Sequence, residues 1–118
     1  MSFLKFIENT PVFPAHESKS LPERLISGDP NFKTWEQDSS CGGMISTGVW
    51  ETTAGEWCSM KGKNFEFCYI VSGSGELIPE GGMPAAYKAG DAFVMKPGWV
   101  GAWRAIEKTR KIFVIVSG

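Results

Sequence analysis

Short runs of β-branched and aromatic residues recur along this chain, each closed by a turn bearing glycine or proline. No segment sustains a helical period long enough for an amphipathic helix. Met44–Thr52 (MISTGVWET) runs out at Ala54-Gly55, and Trp57–Met60 is closed by Lys61-Gly62-Lys63-Asn64. Phe65–Ser72 (FEFCYIVS) is the strongest strand pattern and gives way to Gly73-Ser74-Gly75. Gly75–Pro79 follows, then a loop with Gly81-Gly82. Tyr87-Lys88-Ala89-Gly90-Asp91 leads into Ala92–Met95, Lys96-Pro97-Gly98 turns the chain, and Val100–Ile106 and Lys111–Val116 finish it. Strands at roughly 8–12-residue spacing between tight turns predict an antiparallel sandwich or barrel. The expected class is all-β, and fourteen glycines with seven prolines fit it. Neither Gly73-Ser74-Gly75 nor Gly81-Gly82 opens a helix, so both read as hairpin turns and not as phosphate cradles.

Residues 1–26 differ in texture. Pro11, Pro14 and Pro22 break up short apolar fragments, which predicts an extended N-terminal arm belonging to the same domain as a barrel over 27–118. The arm is expected to add a strand to the barrel edge or to a partner subunit. Leu21–Leu25 suits one helical turn, and Gly28-Asp29-Pro30 is a turn.

A chain of 118 residues, 42% hydrophobic and 21% charged, is one domain with a core and not a disordered segment. Twelve Lys and Arg against thirteen Asp and Glu give a formal charge of −1, which argues against a nucleic-acid partner. No apolar run approaches the ~20 residues that cross a bilayer, and Met1–Phe6 lacks the charged and apolar regions of a signal peptide. A cytoplasmic protein without a membrane partner is expected. Cys41, Cys58 and Cys68 form no CxxC spacing and read as reduced thiols. The single histidine, His16, excludes a mononuclear site built on several imidazoles of one chain. It lies beside Glu17 in the arm and is expected exposed or at an interface.

The order of the turns is more specific than the class. Glu66 is followed by six residues and Gly73, and later comes Ala89-Gly90-Asp91-Ala92-Phe93-Val94-Met95-Lys96-Pro97-Gly98. These resemble the two motifs of the cupin superfamily, G…HxH…E…G and GD…P.G…H. Gly48-Val49-Trp50-Glu51-Thr52, Gly98-Trp99-Val100-Gly101-Ala102-Trp103 and Lys111-Ile112-Phe113-Val114 are similar to a subgroup of small single-domain cupins related to the (S)-ureidoglycine aminohydrolases and the ethanolamine-utilisation cupins. The resemblance runs from Leu25 to Val116 and implies a double-stranded β-helix, a jelly-roll barrel of two antiparallel sheets.

Metal-binding cupins supply two histidines and a glutamate from the first motif and a histidine from the second. By that resemblance this chain keeps Glu66, while the HxH positions fall within Ser59-Met60-Lys61-Gly62 and the last histidine falls at Gly101. One carboxylate is not a metal site. Glu51, Glu56 or the thiols remain as conceivable supplements, and the expectation is a barrel with no metal or other cofactor.

If Glu66 points inward as its counterpart does, alternation sends Cys68 and Ile70 inward and Phe67, Tyr69 and Val71 outward. A carboxylate inside a barrel needs a partner. Lys111 is the first candidate, with Arg104, Lys61 and Lys96 behind it. Glu66 and Lys111 are the candidate catalytic pair, and Trp50, Cys68, Tyr69 and Trp103 the candidate ligand-binding residues. Tyr69 is included although alternation turns it away. Trp35 and Trp99 are expected in a dimer interface or under a loop. The leading functional expectation is a metal-independent cupin that binds a small polar metabolite, as a homodimer. A hydrolase or isomerase using Glu66 as acid or base is the alternative, and a structural or regulatory subunit is the third.

Overall fold

In Phe65–Ser72, Glu66, Cys68 and Ile70 are buried while Phe67 and Tyr69 are exposed, the period-two signature of a strand with one face on a core. The structure, a computed structural model, describes residues 3–118, so Met1 and Ser2 of the expected arm lie outside the described residues. Eleven strands carry the described chain: β1 (His16–Lys19), β2 (Leu25–Gly28), β3 (Asn31–Ser40), β4 (Ile45–Thr52), β5 (Gly55–Met60), β6 (Phe65–Ser72), β7 (Ser74–Pro79), β8 (Ala85–Lys88), β9 (Ala92–Met95), β10 (Val100–Ala105) and β11 (Thr109–Val116). They form two sheets, ordered β1-β3-β4-β11-β6-β9 and β2-β5-β10-β7-β8, with every pairing antiparallel. This is the all-β jelly roll that the turn order implied.

The sheets close on Trp57, Cys68, Ile70, Leu77, Tyr87, Met95, Trp103 and Ala105, with Phe32, Trp50, Phe93 and Trp99 packed against them. Gly73 turns the chain from β6 into β7 at φ +98°, where a side chain would also run into Thr109 and the Lys108 carbonyl. Among the described residues no helix is long and apolar enough to cross a membrane.

The strand-and-turn pattern begins at Phe32 but bounds no strand before Met44, yet β3 is ten residues long and pairs with β4 along its length. NFKTWEQDSS is too polar to signal a buried strand. Its outward positions face solvent, and Trp35 is the one buried residue of the strand. β2 and β8 are likewise unannounced, and the strands that were expected shift by a residue or two: β11 starts at Thr109, β5 at Gly55, and β10 ends at Ala105.

The arm does add an edge strand, within its own chain. His16–Lys19 pairs with Asn31–Thr34, and after a 3-10 turn at Pro22–Arg24 the chain enters β2 beside β5. Ahead of β1 the arm covers Trp35: Trp35 Nε1 donates to the Phe13 carbonyl at 3.0 Å, and the Gln37 amide takes both backbone groups of Glu8. Trp35 therefore sits under a loop, one of its two expected places. His16 is exposed.

Candidate functional site

β11 sits between β4 and β6, and its inward positions Lys111, Phe113 and Ile115 form part of the floor of a cavity of about 260 Å³. Alternation along β4 and β3 brings Trp50, Phe32 and Thr34 to the same cavity. The facing sheet contributes Trp57 and Ser59 from β5 and Trp103 from β10, and Lys61 reaches in just beyond β5. Trp57 and Trp103 are register partners on adjacent strands, and their rings stack 8° from parallel with centroids 6.1 Å apart. Trp50 leans on both at 6.0 and 5.5 Å.

Glu66 is buried at the centre of this wall. Lys111 Nζ donates to its Oε2 at 2.7 Å, Lys61 Nζ donates to its Oε1 at 2.5 Å, and the Cys68 thiol donates to Oε2 at 3.3 Å. Burial pushes the Glu66 carboxyl up, but the Lys111 and Lys61 charges overcome it and hold the group down at about 2. Burial works against charge on Lys111 too, and the facing Glu66 carboxylate outweighs it, raising the ammonium above its ordinary value. The Lys111 ammonium also lies over two indole rings, 4.4 Å from the centre of Trp50 and 4.5 Å from that of Trp103. Burial pushes the Cys68 thiol up to about 12, which removes it as a nucleophile near neutral pH.

Behind Trp103 runs a hydrogen-bonded chain. Trp103 Nε1 donates to the Tyr87 hydroxyl at 3.1 Å, that hydroxyl meets Thr109 Oγ1 at 2.9 Å, and Thr109 donates to the Glu107 carbonyl at 3.0 Å. It ties the indole wall to the start of β11 and fixes the ring that Lys111 rests on.

The structure thus brings Glu66, Lys111, Trp50 and Trp103 together around one cavity. Cys68 touches Glu66 from within the core and does not line the cavity. Tyr69 is 41% exposed on the other face of β6, so its inclusion as a cavity wall is corrected, and alternation is the reason. Lys61 is a second partner of Glu66, whereas Arg104 pairs with Glu76 and Lys96 is exposed. Trp57, Phe32 and Ser59 were not among the expected site residues. Alternation in Gly55–Met60 places Trp57 and Ser59 on one face, a signal legible once β5 is aligned with β10.

A metal of the cupin kind does not fit these residues. Among the described residues no three His, Cys, Asp or Glu side chains gather as a ligand set. Both Glu66 oxygens are bonded to ammonium groups, which would repel a divalent cation. At Gly101, where the second-motif histidine is expected, an added side chain would strike the Trp99 indole and the Ile78 carbonyl. Glu51 is on the outer face, bonded to Arg110 and Lys108, and cannot supplement the site. Cys41 lies in an exposed turn between β3 and β4, apart from the buried Cys68.

Two antiparallel sheets around a largely aromatic cavity, with a glutamate from the first motif on its wall, define a cupin barrel. Residues 39–113 match the EutQ-like cupin domain, and the chain belongs to that family. Its fold is similar to that of a DUF861-family protein of unknown function from Pseudomonas syringae pv. tomato, with a TM-score of 0.82 and 21% identity over 93% of this chain and 46% of that one. The EutQ protein of Clostridium difficile aligns with a TM-score of 0.64 and 14% identity over 75% of this chain and 64% of its own. Ectoine synthase from P. lautus aligns with a TM-score of 0.67 and 18% identity over 80% and 70%. The chain therefore spans about half the length of the first of these structures and just under two thirds of the second. No curated protein matches the sequence.

Proposed function

We propose that the barrel cavity binds a small polar metabolite without a metal, and that the protein acts as a binding module. The observation that carries this reading is the double occupation of Glu66: where a metal cupin needs open donor atoms, two lysine ammonium groups already hold both oxygens. What remains is a preformed aromatic cavity with a few fixed polar groups, the general form of a small-ligand site. The same observation weighs against Glu66 as a general acid or base. A carboxyl held at about 2 is ionised throughout the neutral range and is a weak base there. The likeness to ectoine synthase keeps an enzymatic reading as the alternative.

The protein works as a homodimer in the cytoplasm on this reading. Phe3, Leu4, Phe6 and Val12 of the arm are more than 70% exposed, and a second copy would cover them.

Mass spectrometry of the purified protein under native and denaturing conditions tests this. A dimer with no stoichiometric metal, carrying a small organic adduct lost on denaturation, supports it. One metal per subunit overturns the metal-free reading, and a monomer overturns the dimer.

A further inference from the structure

We propose that the ligand of this cavity is an organic anion, a carboxylate on a planar or apolar body, and that Lys61 is the group that receives it. The inference rests on the binding-cavity reading and names its ligand class. Among the described residues lining the cavity, the charged ones are Lys61, Glu66 and Lys111, two ammonium groups against one carboxylate. The wall therefore carries one uncompensated positive charge inside a pocket otherwise lined largely by indole, phenyl and aliphatic groups. In such surroundings a charge is poorly solvated, and an anion that supplies the missing countercharge is favoured over a neutral or cationic molecule of the same shape.

The two lysines are not equivalent. Lys111 is buried, spent on Glu66 Oε2 and covered by the Trp50 and Trp103 rings. Lys61 keeps 17% of its side chain exposed and uses one donor on Glu66 Oε1, so its ammonium still has N–H groups to give. A carboxylate beside it would meet a charge-assisted donor, with the Ser59 hydroxyl on the same wall. Its body would lie against Trp50, Trp57 and Trp103, whose rings tolerate many planar skeletons. Glu66 then acts as a positioning residue that fixes both lysines, and the net positive charge of the three groups together disfavours a cation.

Binding of benzoate, benzamide and benzylamine, three molecules of one shape and different charge, tests the inference by calorimetry and tryptophan fluorescence on the whole protein. Benzoate is expected to bind about tenfold more tightly than benzamide, and benzylamine to bind undetectably. In Lys61→Gln, with thermal melting confirming the fold, the benzoate preference should vanish while benzamide stays within about twofold. Saturable binding of benzamide or benzylamine at or above the level of benzoate overturns the anion inference and leaves the cavity reading standing. Equal loss of benzoate and benzamide in a folded Lys61→Gln overturns the role of Lys61. No binding of any of the three overturns the aromatic cavity as a ligand site and the inference with it.

Discussion

Lys111 and Glu66 meet although they are not register partners: Glu66 stands opposite Ile115, four positions further along β11, and Lys111 Nζ is still 2.7 Å from Glu66 Oε2. The long lysine side chain spans the offset along the inner face of the sheet and passes over Trp50 and Trp103 on the way. The contact therefore couples strand register to cavity charge, and its removal should register in stability as well as in binding.

Removing one partner of this cluster should cost unequal amounts. Glu66→Gln leaves two ammonium groups facing each other without a countercharge and should destabilise by about 3–5 kcal/mol. Lys111→Met leaves Glu66 still paired with Lys61 and should cost less. The double variant should be more stable than the sum of the single losses implies, with a coupling of about 1–3 kcal/mol. Urea unfolding of the four proteins at pH 7 measures each term.

Stability should fall in acid over a defined window. The folded Glu66 pKa of about 2 lies below its ordinary value of 4.5. The group's contribution is therefore complete above about pH 4.5 and is lost as pH falls through about 2, amounting to about 3 kcal/mol. Glu51, which burial raises but Arg110 and Lys108 lower further, adds to the same trend. Chemical denaturation between pH 2 and 6 should show a shallower slope in Glu66→Gln than in the parent.

The three thiols should react in order of exposure. Cys41 is exposed, Cys58 half-buried and Cys68 buried with its thiol pushed up to about 12. A disulfide reagent at pH 8 should modify Cys41 quickly and Cys58 more slowly, and Cys68 only on unfolding. Rapid modification of Cys68 in the folded protein would contradict its place in the core.

Tyr87→Phe should cost about 1–3 kcal/mol, because it leaves Trp103 Nε1 and Thr109 Oγ1 without their shared partner in the core. The near-ultraviolet circular dichroism of the indole cluster should change with it, since Trp103 loses its anchor. Unfolding midpoints and spectra of the variant check both.

The fold was legible because turns and alternation are local. Gly73, Gly81-Gly82 and Pro97-Gly98 mark chain reversals on their own, and FEFCYIVS declares its buried face by period two. β3 was hidden because its residues are chosen for an edge region with solvent on many positions. In the site, Glu66 and Lys111 could be paired from the demand that a buried carboxylate find a cation. Lys61 stood among the candidate cations, but nothing in the sequence separated it from Arg104 and Lys96, and the Trp57 wall follows from the register of β5 against β10, which is not written in any single segment. The Trp103–Tyr87–Thr109 chain joins three strands and had no sequence signal.

The crowding at Gly101 bears on the substitutions open to such a barrel. Metal ligation would need a histidine where the Trp99 ring now stands and donor side chains in place of lysines. A histidine at 101 by itself collides with the indole, and freeing both Glu66 oxygens takes two lysine substitutions that together strand a buried carboxylate. A metal-binding form would therefore need several substitutions together, with a stability valley between it and the lysine-filled barrel. Drift by single substitutions is expected to stay on the lysine-filled side of it.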